Sequence, residues 1–246
     1  MRFWWLTEFK FKINDRKYMK TEFTYFFILL LLALILWPSK TLDVNKYYIP
    51  DLFLIFSLSH FFFITYLSSL ISSGNLLAEK EFKTLSLVRY SDFSIVNILL
   101  GRFLSTLLYI LYLFIILFPF NLIISFTGST NKILILYLLI LIDSIPLIGL
   151  GLLWSTLINP ALNWFSHWIS YLAFIIIPFI FPSTFFFFPL NNILWLVGAE
   201  NVLYVSVNFN PSKHLPVIIL FYLLIFLISI LIAQKRLKYY RGEKNK

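Results

Sequence analysis

Apolar runs of about twenty residues recur along this chain, and each is long enough as an α-helix to cross the ~30 Å hydrocarbon core of a bilayer. A water-soluble globule needs roughly a quarter of its residues charged to cover its surface. Here 13% are charged, 60% are hydrophobic, and Phe alone fills 29 of 246 positions. Too little polar sequence is left to wrap a soluble core. The chain reads as an all-α, polytopic integral membrane protein.

The spacing predicts six transmembrane helices, over 23–38, 51–73, 97–119, 132–158, 163–181 and 215–233. Pro38, Pro119 and Asn159-Pro160 mark ends, and Pro216 sits in a tolerated first-turn position of the last. The net charge of +9 matters through its placement. Arg2, Lys10, Lys12, Arg16, Lys17 and Lys20 precede the first run; Lys235, Arg236, Lys238, Arg241, Lys244 and Lys246 follow the last. Basic clusters flanking spans follow the positive-inside rule better than they fit nucleic-acid binding. Both termini are therefore expected in the cytoplasm of a plasma (inner) membrane, which requires an even number of spans. Lys40 and Lys46 in the first external loop run against this trend, offset by Asp43.

The first run is read as a span rather than a cleaved signal, since about 22 residues lead into it and Trp37-Pro38-Ser39-Lys40 offers no small-x-small site. Residues 1–22 are expected to form an amphipathic interfacial helix. Trp5, Phe9 and Ile13 recur at i, i+4 and i+8, with Lys10, Arg16 and Lys17 directed elsewhere. Residues 182–214 hold apolar pieces too short to cross, interrupted by Pro182, Pro189, Gly198 and Pro211. They read as an external re-entrant region. No cysteine is present, which excludes disulfides, thiol catalysis and Cys-ligated metals.

Between the second and third spans lies the one charged, interrupted segment in the middle of the chain, 75–95. Leu85 and Leu87-Val88 make an apolar ridge, with Glu79, Glu81, Lys83, Arg89 and Asp92 as polar handles. Charge and periodicity alone fit an ordinary cytoplasmic loop and a short docking helix equally. The residues Glu79-Lys80-Glu81-Phe82-Lys83-Thr84-Leu85-Ser86-Leu87, followed by Gly101-Arg102, resemble the signature of ATP-binding-cassette (ABC) exporter permeases of the second type. That family carries E-x-E-x-G-T-L-E-x-L after its second span and a Gly-Lys pair at a similar distance. Lys83 and Ser86 depart from the pattern, as does the lack of a Pro before the third span. Gly149-Leu150-Gly151, Asn210-Pro211 and Lys235-Arg236-Leu237-Lys238 match further family features in order along the chain.

The resemblance implies that 75–95 is a cytoplasmic coupling helix, with Glu79, Glu81, Thr84, Leu85, Leu87 and Arg89 docking on an ABC ATPase subunit. It implies a second permease copy, identical or not, completing the pathway. The chain lacks G-x-x-x-x-G-K-[ST], so ATP and Mg belong on a partner chain and this subunit is expected to be non-catalytic, with no cofactor of its own.

Inside the membrane, Asp143 stands mid-span beside Ser144 and Pro146. Burying a carboxylate there costs roughly 2.5–3.5 kcal/mol, so it needs a partner or a wet cavity. Two readings stand: a direct or water-bridged contact with His60 at similar depth, and, preferred, a protonated carboxyl bonded to a hydroxyl or to a carbonyl freed near Pro146. His167, between Trp164 and Trp168, reads as part of an interfacial aromatic anchor rather than a metal or haem ligand. His214 reads as interfacial, Glu200 as surface, and Phe185 to Phe188 as packing. The function expected is export of an apolar or amphipathic substrate such as a lipid-linked glycan, drug or peptide. The alternatives are a membrane-embedded enzyme, although H-E-x-x-H and G-x-S-x-G are both absent, and a non-transporting assembly or immunity factor.

Overall fold

Leu, Ile and Phe dominate the long runs, and in lipid a helix satisfies every backbone polar group within its own segment. The computed structural model describes residues 4–36, 50–81, 94–125, 130–158, 162, 165–173, 193, 196 and 211–241, and these are almost wholly helical. The helices are α1 (Trp4–Asn14), α2 (Arg16–Leu36), α3 (Pro50–Glu81), α4 (Ile95–Ser125), α5 (Thr130–Leu157), α6 (165–173) and α7 (Pro211–Arg241). Four stretches within them are long and apolar enough to cross a membrane: Phe53–Gly74, Ile95–Phe118, Lys132–Leu157 and His214–Lys238. They mark the chain as an integral membrane protein.

Two boundaries have clear local causes. Ser94 caps α4: its hydroxyl accepts the Asn97 amide at 3.2 Å and its carbonyl accepts the Ile98 amide at 3.1 Å, filling donors that a helix start leaves unpaired. Asp15 separates α1 from α2. Its amide still donates to the Phe11 carbonyl at 2.9 Å, while its own carbonyl accepts from Met19 at 3.0 Å, so α2 begins as α1 ends.

Side-chain pairs fix how the helices run. The His60 ring lies 6.3 Å from Tyr137, and twelve residues on, Ser72 packs beside Gly151. Position advances together on both helices, so α3 and α5 are parallel. Asp143 faces Tyr222, and Gly149 meets Phe226 and Ser229, which makes α7 parallel to α5. Phe114 stacks on Tyr137 and Phe103 tilts against Phe226, so α4 opposes both. Tyr18 approaches Gly74 while Tyr25 stacks on Phe63, and α2 opposes α3. His167 reaches Ser69 and Ser73 while Tyr171 reaches Phe62, and α6 opposes α3 as well. Each helix thus reverses its chain predecessor from α2 through α6.

The main core gathers Phe56, Ile64, Leu99, Ile110, Ile140, Ile148 and Leu152 from α3, α4 and α5. A second cluster, Leu67, Ile71, Tyr109 and Leu113, receives Phe9 and Ile13 of α1. The central helix is α5, the most enclosed of the four apolar stretches; α7 is the least, with Leu220, Leu227 and Leu231 exposed along its outer side.

Several boundaries differ from those the sequence suggests. The helix α4 continues beyond Pro119 to Ser125, into residues expected as loop. The last helix starts at Pro211, so Pro216 lies inside it. Residues 75–81 are the closing turns of α3, so the expected coupling helix begins as a continuation of the span before it. The apolar ridge of α1 is used on the protein, since Phe9 meets the Tyr112 ring at 6.4 Å and Ile13 packs with the second cluster. Of the expected fifth span only 165–173 is described. Most of 182–214 lies outside the described residues; within it Ile193 and Leu196 are helical and buried, and 211–214 open α7.

Candidate functional site

Polar side chains inside a lipid-facing bundle are its functional suspects, because each must find a partner away from water. Of the coupling residues the sequence singles out, Glu79 and Glu81 sit on the last turns of α3. Their side chains, and Thr84, Leu85, Leu87 and Arg89 altogether, lie outside the described residues. The connection they belong to joins Glu81 to the Ser94 cap, between two antiparallel helices.

Asp143 and His60 are both buried, at 1% and 0% exposure, and the structure turns them to different neighbours. The Asp143 carboxyl faces the Tyr222 hydroxyl across the α5–α7 contact, although neither carboxyl oxygen reaches good hydrogen-bond geometry. His60 Nδ1 lies 3.0 Å from the Phe56 carbonyl, one turn back on its own helix, and the ring is framed by Tyr25, Phe56 and Tyr137. Tyr137 precedes Asp143 by roughly 9 Å along α5, so His60 sits above the carboxyl rather than opposite it.

The richest polar cluster was not among the sequence candidates. His167 of α6 is fully buried, where an interfacial anchor was expected. Its Nδ1 is 2.7 Å from Ser69 Oγ and its Nε2 is 2.8 Å from Ser73 Oγ. The two serines are one turn apart on α3, so one ring grips two successive turns. The network assigns the tautomer. The Ser73 hydroxyl donates to the Leu70 carbonyl at 2.9 Å, so it accepts the Nε2–H, and the Nδ1 lone pair takes the Ser69 hydroxyl proton.

Further bonds extend this seam along α3. The Tyr171 hydroxyl donates to the Phe62 carbonyl at 3.1 Å and stands 3.5 Å from Thr65 Oγ1. Tyr66 packs on Trp168 with ring centroids 5.0 Å apart. The Trp154 indole N–H donates to Ser170 Oγ, tying α6 to α5 as well. Thr65, Ser68, Ser69, Ser72 and Ser73 are all buried; at spacings of three and four they form one stripe down α3. That helical spacing, set against a lone His in a neighbouring apolar run, was the signal available in the sequence.

A serine donating to a histidine that a third group orients is the geometry of an activated nucleophile. Here it is closed off. Ser69, Ser73 and His167 are each exposed by 1% or less, and the backbone of Ser69 is pressed by Gly151 from the other side. The triangle joins helices as built.

A second polar knot lies where α1 meets α4. Lys12 Nζ donates to Ser105 Oγ at 2.7 Å and Thr106 Oγ1 at 3.1 Å, and Glu8 stands 3.6 Å away. Both hydroxyls pass their protons to the Arg102 carbonyl. Burial lowers the Lys12 pKa to about 8; Glu8 opposes the shift and Arg102 adds to it. Arg102, half of the Gly-Arg pair that carries the family resemblance, is thus buried beside the first helix. One turn further into the bundle, the Tyr109 hydroxyl donates to Glu22 Oε1 at 2.5 Å.

No grouping of three or more metal-binding side chains occurs among the described residues. Comparison of the chain with protein-family models, with curated proteins and with solved structures finds no match.

Proposed function

We propose that this chain is the membrane-spanning permease subunit of an ATP-driven ABC exporter, moving an apolar or amphipathic substrate across a plasma membrane. In this reading six helices span the bilayer with both termini in the cytoplasm, the segment 75–95 faces the cytoplasm, and 182–214 faces outward. A separate ABC ATPase binds the cytoplasmic segment and supplies ATP and Mg, and a second permease copy completes the path.

One observation carries the reading. The stretch that resembles the family's coupling signature, Glu79 to Leu87, starts on the last turn of α3, and only the residues from 82 to 93 separate that helix from the capped start of α4. A lever needs a helix running into it and a short return, and the helix end and the chain length between the two helices suit both. The parallel run of α3, α5 and α7 further supports it, because helices two apart in an up-and-down bundle share a direction.

The test is purification of the full chain from membranes with whatever accompanies it. An ATPase should copurify, and replacing Glu79 and Glu81 together by Lys should abolish its stimulation while the chain still inserts. Absence of any nucleotide-hydrolysing companion would remove the basis of the proposal.

A further inference from the structure

The parts of α3 that matter to the proposed lever lie close together. Its closing turns carry Glu79 and Glu81. Ser73 is about 12 Å back from Glu81 along the same unbroken helix, and Ser69 one turn further. His167 holds both of these serines, so its grip lies just inside the membrane end of the segment a partner would push. The ring belongs to α6, whose Phe165, Ile169 and Leu172 are exposed.

In lipid, apolar contact gives little reason for one helix to follow another, since the hydrocarbon tails are as apolar as the side chains. Directional bonds add to close packing in holding two helices together. The α3–α6 pair has several, and of them the His167 pair lies nearest the coupling segment. Tyr171 and Trp168 continue the attachment toward the bundle interior.

We propose that His167 is the transmission residue by which displacement of the closing turns of α3, through Glu81, is passed to α6. The inference rests on the exporter reading and deepens it: it names the positioning residue and the helix that moves. His167 touches no substrate in this role. It acts through Ser69 and Ser73, and the neutral ring with one donating and one accepting nitrogen is the form that engages both.

The chain has no cysteine, so an introduced thiol is the only one it carries, and labelling of companion chains is subtracted with the cysteine-free parent. The full chain is purified with its companions and carries a fluorophore at Ile55→Cys on α3 or at Leu172→Cys on α6, read with and without ATP–vanadate trapping. With His167 in place, trapping should change the signal at both positions. In His167→Ala the response at 172 should fall at least roughly five-fold while that at 55 persists. His167→Gln, whose amide offers N–H donors at one end and a carbonyl acceptor at the other, should restore part of it, and Ser73→Ala should give an intermediate loss.

A Tyr66→Cys, Trp168→Cys pair, at positions whose rings meet across the two helices, checks that α6 is still docked, because a short bifunctional thiol cross-linker should bridge it equally well with Ala or His at 167. An unchanged response at 172 in His167→Ala would overturn the inference alone. A companion ATPase that is absent, or a chain silent to trapping at both positions, overturns the exporter reading and this inference with it. Labelling of Ser69 by a fluorophosphonate would also overturn it, by showing the triangle to be an accessible nucleophile.

Discussion

Gly151 sits so close to Ser69 that a β-carbon added to it would overlap the Ser69 carbonyl oxygen and the Ser72 hydroxyl together. The backbones of α3 and α5 are therefore at their limit of approach beside the serines that His167 holds. A carbonyl in a helix cannot swing aside, so the overlap can be relieved only by separating the helices.

The three glycines with described surroundings should consequently rank in a set order. Gly151→Ala should destabilise by roughly 1–3 kcal/mol, as overpacking does. Gly149→Ala, where the new carbon would stand 3.0 Å from a Phe226 ring atom and 3.2 Å from its Cα, should cost less. Gly74→Ala, with only the Tyr18 hydroxyl at 3.4 Å, should be neutral or stabilising by up to about 1 kcal/mol through helix propensity. Unfolding in detergent micelles measures all three, and a Gly151 variant as stable as the Gly74 variant would contradict the packing.

Docking of α1 should strengthen with rising pH. The Lys12 pKa falls from the ordinary 10.5 to about 8 in the fold, so the docked state binds fewer protons than the released one between those values, and linkage then favours docking as pH climbs. Below about 8 the penalty for a buried ammonium is complete, with Glu8 easing it and Arg102 adding to it. A spin label at Phe11→Cys, an exposed position, should lose its mobile fraction between about pH 8 and 10.5, the window set by these two pKa values. Lys12→Met should flatten the curve.

Asp143 and Tyr222 should be energetically coupled. A double-mutant cycle of Asp143→Asn and Tyr222→Phe isolates their contact, and buried polar pairs between membrane helices average about 0.6 kcal/mol with a maximum near 1.7. We expect a value in that range. A coupling indistinguishable from zero would mean that the carboxyl takes its compensation elsewhere.

The directions of the helices give a labelling pattern. Single cysteines at Lys132 and His214, at the starts of two parallel helices, should react with an impermeant thiol reagent from one side of the membrane. Those at Leu157 and Lys238, at the corresponding ends, should react from the other. Any pair divided differently would break the parallel arrangement of α5 and α7.

Much of this architecture could be read from the chain, and the reasons for the misses are physical. Four spans follow from length and hydropathy alone, and 51–73 and 132–158 lie close to Phe53–Gly74 and Lys132–Leu157. Boundaries set by proline were less secure. Pro119 and Pro216 sit within helices, because in a packed membrane bundle neighbouring groups compensate the lost backbone bond. Polar residues mark where the second span leaves lipid, yet Asn75 to Glu81 carry on the helix of α3, since charge leaves lipid without ending a helix.

At the polar sites, depth counting brought His60 and Asp143 near each other along the bundle normal. Rotation about each helix axis, which counting does not give, sends one toward Tyr137 and the other toward Tyr222. Two flanking tryptophans make His167 look interfacial, and the fold buries it instead. The matching serine stripe lay some ninety residues upstream, and only tertiary pairing connects the two.

The hydroxyl stripe has a mechanical corollary. Turning α3 by one residue about its axis, roughly 100°, would carry Thr65, Ser69 and Ser73 away from α6 all at once and swing Phe and Leu side chains into their place. Small rolls therefore gain nothing until every clasp has let go. The row of hydroxyls is thus a rotational lock, fixing which face of α3 meets α6.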